Sequence, residues 1–113
     1  MRSSEMRKVY AKASTFLLEP TSLAKDTFAR NEQGGNLPIV NADSFQKASA
    51  LCARGAISRA LYECGHADWM PNGDTERLVS CRMALELGVW SLGKWSDEAS
   101  HSEVLAGFLK MAA

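Results

Sequence analysis

A mainly α-helical fold is the reading that this 113-residue chain supports, and three observations carry it. Apolar residues recur every three or four positions over its longer stretches, the period that gathers them on one face of a helix. Asp43-Ser44-Phe45-Gln46 and Ser100-His101-Ser102-Glu103 resemble capping boxes, in which the first and fourth residues satisfy each other's free backbone donors at a helix start. A single Gly34-Gly35 turn, flanked by short apolar runs, leaves room for one small β-hairpin or extended arm. The expected architecture is a four-helix single domain over residues 1–113, with the hairpin or arm between the first two helices.

The first helix is expected over about residues 5–18. Met6, Val9, Tyr10, Ala13, Phe16 and Leu17 share one face, and Arg7, Lys8 and Lys12 the other. Ser3 or Ser4 suits its N-cap, Glu5 suits the positive end of the helix dipole, and Pro20 ends it. Next, Thr27-Phe28-Ala29-Arg30 and Leu37-Pro38-Ile39-Val40 flank the Gly-Gly turn. Pro38 lacks an N–H, so its run is at best an edge strand, and a lone hairpin needs the helices beneath it to persist.

The second helix is expected from the capping box at Asp43 to Cys64, with Gly65 as the left-handed stop. Ala48, Cys52, Ala56, Ala60 and Cys64 fall every four residues, a ridge of small side chains that lets a neighbour approach closely. Gly55 inside a helix costs about 0.5–1 kcal/mol relative to Ala, so a packing reason is expected for it. Residues 65–73 are rich in turn formers. A third helix is expected from Asp74 or Thr75 to Gly93. It carries two apolar stripes: Leu78, Cys81, Leu85, Val89 and Leu92, and beside them Val79, Met83, Leu87 and Trp90. Together they are broader than one neighbour requires. The last helix opens at Ser100, with Val104, Leu105, Phe108 and Leu109 facing inward.

Thirteen Lys+Arg balance thirteen Asp+Glu, so no net field draws in nucleic acid or anionic lipid. Arg54 and Arg59, like Arg77 and Arg82, are five residues apart and so about 140° around a helix, which forms no basic stripe. No nucleic-acid partner is expected. No run of about 18 apolar residues exists to span a bilayer, and the first residues lack the continuous apolar run of a secretory signal. Three cysteines, Cys52, Cys64 and Cys81, are an odd set inside expected helices; a cytoplasmic location is expected from them.

Cys64-Gly65-His66-Ala67-Asp68 gathers a thiol, an imidazole and a carboxylate, but a helix C-terminus disfavours a thiolate. Spacings of 12 and 17 residues between the cysteines offer no close pair for zinc. No catalytic residue, metal or cofactor is therefore assigned. Trp69 beside His66 and Asp68, and Trp95 beside Asp97, have the composition of a ligand pocket. The simpler expectation is that the tryptophans plug the ends of the bundle, their indole N–H on a free helix carbonyl, and that Asp97 is a cap of the last helix or a favourable charge at the positive end of its dipole.

Two segments are similar to a family of small bacterial and phage helical proteins catalogued as a domain of unknown function. They are Ala48-x-x-x-Cys52-x-x-Gly55-Ala56-Ile57-x-x-Ala60, and Trp95-Ser96-Asp97 followed by Ser100 and Glu103-Val104-Leu105. This chain has Ser96 where the family pattern has Asn, and Leu18 to Leu23 where a Trp often follows helix one. The resemblance implies a helical fold and carries no activity with it. By analogy alone it also suggests a phage or mobile-element accessory protein that blocks a host factor.

The functional expectation is a non-enzymatic interaction domain, a homodimer or the binder of a protein partner, that associates through Val79, Met83, Leu87 and Trp90. The alternative is a small-molecule binder or minor enzyme with a pocket at His66, Asp68, Trp69, Trp95 and Asp97.

Overall fold

The first apolar face folds as α1 (Ser3–Thr15), which buries Val9, Tyr10, Ala13 and Ser14 in a computed structural model that describes residues 1–113. Its N-cap is Arg2, with no side-chain cap; Ser3 and Ser4 lie inside the first turn instead of before it. The helix stops short of Pro20, where the N–H groups of Phe16 and Leu17 tighten onto the carbonyls of Ala13 and Ser14. Pro20 opens a 3-10 turn, Pro20–Ser22, using the fixed φ that suits a first helical position.

The arm that follows does turn back at residues 31–35. Asn31 accepts from the N–H groups of Gln33 and Gly35 through its side chain, and Gly34 takes a φ of +81°. Leu37 then donates to the Ala29 carbonyl at 3.0 Å. The strand pairing, however, joins β1 (Ala29–Arg30) to β2 (Ala50–Leu51), antiparallel, with Ala29 opposite Leu51. The run containing Pro38 forms no strand, since a proline cannot donate to a ladder; one isolated bridge, Arg30 to Asn36, stands just before it.

That pairing also shortens the second helix. Asn41, rather than Asp43, caps a 3-10 turn over Ala42–Lys47: its side chain accepts from the Ser44 N–H, and its backbone N–H donates to the Ser44 hydroxyl. The chain is then extended, and α2 runs only over Ala53–Glu63, with Cys52 as its N-cap. The Leu51 carbonyl accepts from Ala24, and Cys52 donates to Phe28, so the arm takes backbone groups that a continuous helix would have used. Gly55 has its packing reason here: a Cβ would stand 2.2 Å from the Phe28 carbonyl oxygen. The close neighbour is the arm's backbone, where the small-residue ridge had suggested a helix. Helix α2 is nonetheless central, packing on α1, on α3 (Asp74–Leu87) and on α4 (Leu92–Glu98).

Helix α3 ends at Gly88, which adopts the left-handed cap at φ +71°, and not at Gly93. Ser91 then caps α4 through Lys94, so the region expected as one helix makes two, and the bundle has five α-helices. The last, α5 (His101–Ala112), opens on the expected Ser100–Glu103 capping box and buries Val104 and Phe108, while Leu109 faces solvent. The buried side chains form one contiguous cluster, with the Tyr10 ring 6.4 Å from that of Phe108. Tyr10 donates its hydroxyl to the Val79 carbonyl at 2.7 Å, which ties α1 to α3. Burial pushes the Tyr10 phenol up to about 12. No helix is long and apolar enough to cross a membrane.

Candidate functional site

The two apolar stripes of α3 have opposite fates. Val79 and Met83 are fully buried in the chain's own core, and Leu87 is half-buried against it. Gly107 of α5 makes this possible: a Cβ there would lie 2.9 Å from the Trp95 ring and 3.3 Å from Met83. Side chains already enclosed by their own chain have no surface to offer a partner, so Val79 and Met83 leave the expected interface. Trp90 keeps its place, fully exposed just beyond the Gly88 cap. Beside it stands the other stripe, with Leu78 at 51% exposure, Leu85 at 77%, and an exposed Cys81.

Cys81, Ala84, Leu85, Gly88, Val89 and Trp90 line a groove of about 410 Å³. An adjoining cleft of about 320 Å³ shares Cys81, Ala84 and Trp90 and extends to Arg54, Asn72 and Arg77. At its floor lies a polar joint that sequence reasoning missed. Glu76 is fully buried, accepting from Arg54 Nε at 3.0 Å and Nη2 at 2.6 Å, from the Asn72 N–H at 2.8 Å and from the Ser80 hydroxyl at 2.6 Å. Asn72 reaches this position at a φ of +66°, and its side chain accepts from Arg54 as well. A buried carboxylate is tolerated only when paired and hydrogen-bonded, and this one is both. The sequence did hold a signal. Glu76 lies three and seven residues before Val79 and Met83, on their stripe, where a carboxylate needs a cation.

The expected pocket residues are not assembled into one site. Asp68 accepts from the Thr75 N–H and hydroxyl at the start of α3, so it serves as a cap. His66 bonds through its backbone to the Leu61 carbonyl at the end of α2. Trp69 packs tilted against Phe45 and edge-on against Tyr62, with centroids at 5.4 and 5.3 Å, and its carbonyl accepts from Ser58. Trp95 lies on α4 instead of in a loop, and packs on Gly107. Asp97 accepts from the Asp26 N–H at 2.7 Å, which ties down the arm rather than capping the last helix. None of these five residues lines a principal cavity. Both half-buried tryptophans close the core through packing.

Nor does Cys64-His66-Asp68 form a relay, since Asp68 is held by Thr75 and partial burial pushes the Cys64 thiol up. Burial also pushes the Cys52 thiol up, and its Sγ accepts from the Gly55 N–H. No three His, Cys, Asp or Glu side chains converge as a metal site would require.

The motifs behind the family resemblance act as joinery. The Ser96 hydroxyl accepts from the Ala53 N–H at 3.1 Å and so satisfies a free donor at the start of α2. Lys25 donates to the carbonyls of Ser96 and Ala99, locking the arm to the end of α4. Cys52, Gly55, Ser96 and Asp97 thus hold the arm, α2 and α4 together. No curated protein and no solved structure matches the chain. A family model does match, over residues 1–113, and the chain belongs to that family, the family of unknown function DUF6197.

Proposed function

We propose that this protein is a non-enzymatic interaction domain that pairs with a second copy of itself through the outward face of α3. The observation that carries the reading is Trp90, an indole wholly in solvent beside Leu85 and Cys81, with Leu78 exposed two turns before Leu85 on the same helix. Scattered apolar residues on a surface mean little, but a contiguous patch with a tryptophan is where association energy concentrates.

The charge pattern suits a second copy. Arg82 and Glu86 stand one turn apart beside Leu85 and form no ion pair within the chain. They border the crevice against α1 and α5 with Arg7, Tyr10 and Lys110, so in a pairing of α3 helices centred on Leu85 this charge pair lies at the rim. Zero net charge leaves no long-range repulsion between copies. Three unpaired thiols, two of them exposed, fit the reducing cytoplasm as its location.

Light scattering after gel filtration, across about a hundredfold dilution, tests the reading. A mass near twice 12.3 kDa is expected, falling to one chain in the Leu85→Glu, Trp90→Ser double variant with helicity unchanged. A single-chain mass at every concentration of the unmodified protein overturns it.

A further inference from the structure

The cleft beside the apolar groove differs from it in charge and in construction. Arg54 commits Nε and Nη2 to Glu76 and Asn72, while Nη1 has no partner. Its guanidinium lies 5.1 Å from the centre of the Phe28 ring, and its stem passes against Gly93. The side chain is therefore fixed from behind and from both sides, yet remains a quarter exposed. Arg77 lines the same cleft and makes no ion pair within the chain. No carboxylate lines the cleft. Glu76 is wholly buried behind Arg54 and offsets its charge, so Arg77 leaves the cavity one positive charge in excess.

We propose that this cleft binds a small amphipathic carboxylate, with its head on Arg54 and Arg77 and its apolar body along Trp90 into the groove beside Leu85. A planar guanidinium donates in a fork that matches a carboxylate, and one already fixed by a buried partner loses little freedom on binding. The shared wall of Cys81, Ala84 and Trp90 makes cleft and groove continuous, so a head group in one leads its tail into the other. Their volumes fall within the range of small-molecule sites, roughly 300–1,000 Å³. This inference does not rest on self-association; the ligand's tail and a second copy claim the same Cys81, Leu85 and Trp90 surface, so the two exclude each other and decanoate is expected to lower the paired fraction.

Decanoate is the probe, and its uncharged counterpart decanol the control, in titrations followed by ¹⁵N NMR. Decanoate is expected to shift the Trp90 indole N–H and the amides of Cys81, Ala84 and Val89 saturably. Decanol is expected to bind about tenfold more weakly, the loss that one charge-assisted contact confers. Arg77→Gln should weaken decanoate about tenfold and leave decanol unchanged, whereas Arg54 is avoided because its loss strands Glu76. Equal binding of decanoate and decanol, shifts outside the cleft, or an unaltered Arg77→Gln variant overturns the proposal. Leu78→Glu separates the two readings, since Leu78 lines neither cavity: it should abolish pairing and preserve decanoate binding.

Discussion

The inward and outward faces of α3 invert the ordinary expectation about polarity and burial. The inward face carries a carboxylate and a hydroxyl, Glu76 and Ser80, with Val79 and Met83, and all four are buried. The outward face carries Leu78, Cys81 and Leu85, and all three are exposed. Partners decide between them, not hydropathy. Glu76 is sheltered because Arg54, Asn72 and Ser80 satisfy it, and Met83 because Gly107 makes room. The leucines outside are met by no element of the chain.

Breaking the polar joint should have the largest effect. Glu76→Ala leaves Arg54 without its buried counter-charge and should cost about 3–5 kcal/mol in urea unfolding. Replacing both Arg54 and Glu76 by apolar residues of similar size should cost clearly less than either single change, since no buried charge is then left alone. If the single Glu76 variant unfolds like the unmodified protein, the inward face does not depend on its ion pair.

Met83→Ala tests the apolar half of that face and should cost about 2–5 kcal/mol, through lost contact and the cavity left behind. Tyr10→Phe removes the hydroxyl on the Val79 carbonyl and should cost about 1 kcal/mol. Tyr10 also gives the inward face a pH signature. Its folded-state value, about 12, lies above the ordinary phenol value of 10.0, so its contribution is full below the unfolded value and is lost as pH rises from there through the folded one. Denaturant midpoints measured across that interval should fall more steeply for the unmodified protein than for Tyr10→Phe.

The smallest effect on stability should come from the outward face. Leu85→Glu is expected to change the unfolding free energy by no more than about 0.5 kcal/mol while abolishing self-association. A large loss of stability in dilute, single-chain protein would show that Leu85 has a partner within its own fold.

The helices that were legible in advance are those built from neighbours along the chain. In α5, Ser100 and Glu103 cap each other and Val104 and Phe108 follow at helical spacing, so its start and the centre of its inner face were readable, while Leu109, expected inward, faces solvent. The face of α1 was readable for the same reason, though its cap was not, since Arg2 holds that place without a side-chain bond. The capping pattern at Asp43 misled because Ala50 and Leu51 are claimed by β1 and by Ala24, residues twenty or more positions away. For the candidate site, Trp90 was grouped with Val79, Met83 and Leu87 on one association surface, whereas Trp90 is exposed and Val79 and Met83 are buried. Two stripes of similar hydropathy carry no mark of which one the other helices will cover.

By itself, then, the sequence determined the helical class, the faces of α1 and α5 and the capping box of α5. Each depends on groups within about four residues of one another, and the helical period brings those together whatever the rest of the chain does. Only the tertiary structure decided that Ala50–Leu51 is a strand, that Ser96 completes the start of α2 from 43 residues away, and that Arg54 neutralises Glu76 across 22. It also decided which face of α3 looks outward. Such pairings have no local period. They arise where packing excludes water and a buried polar group must find its complement wherever the fold has carried it.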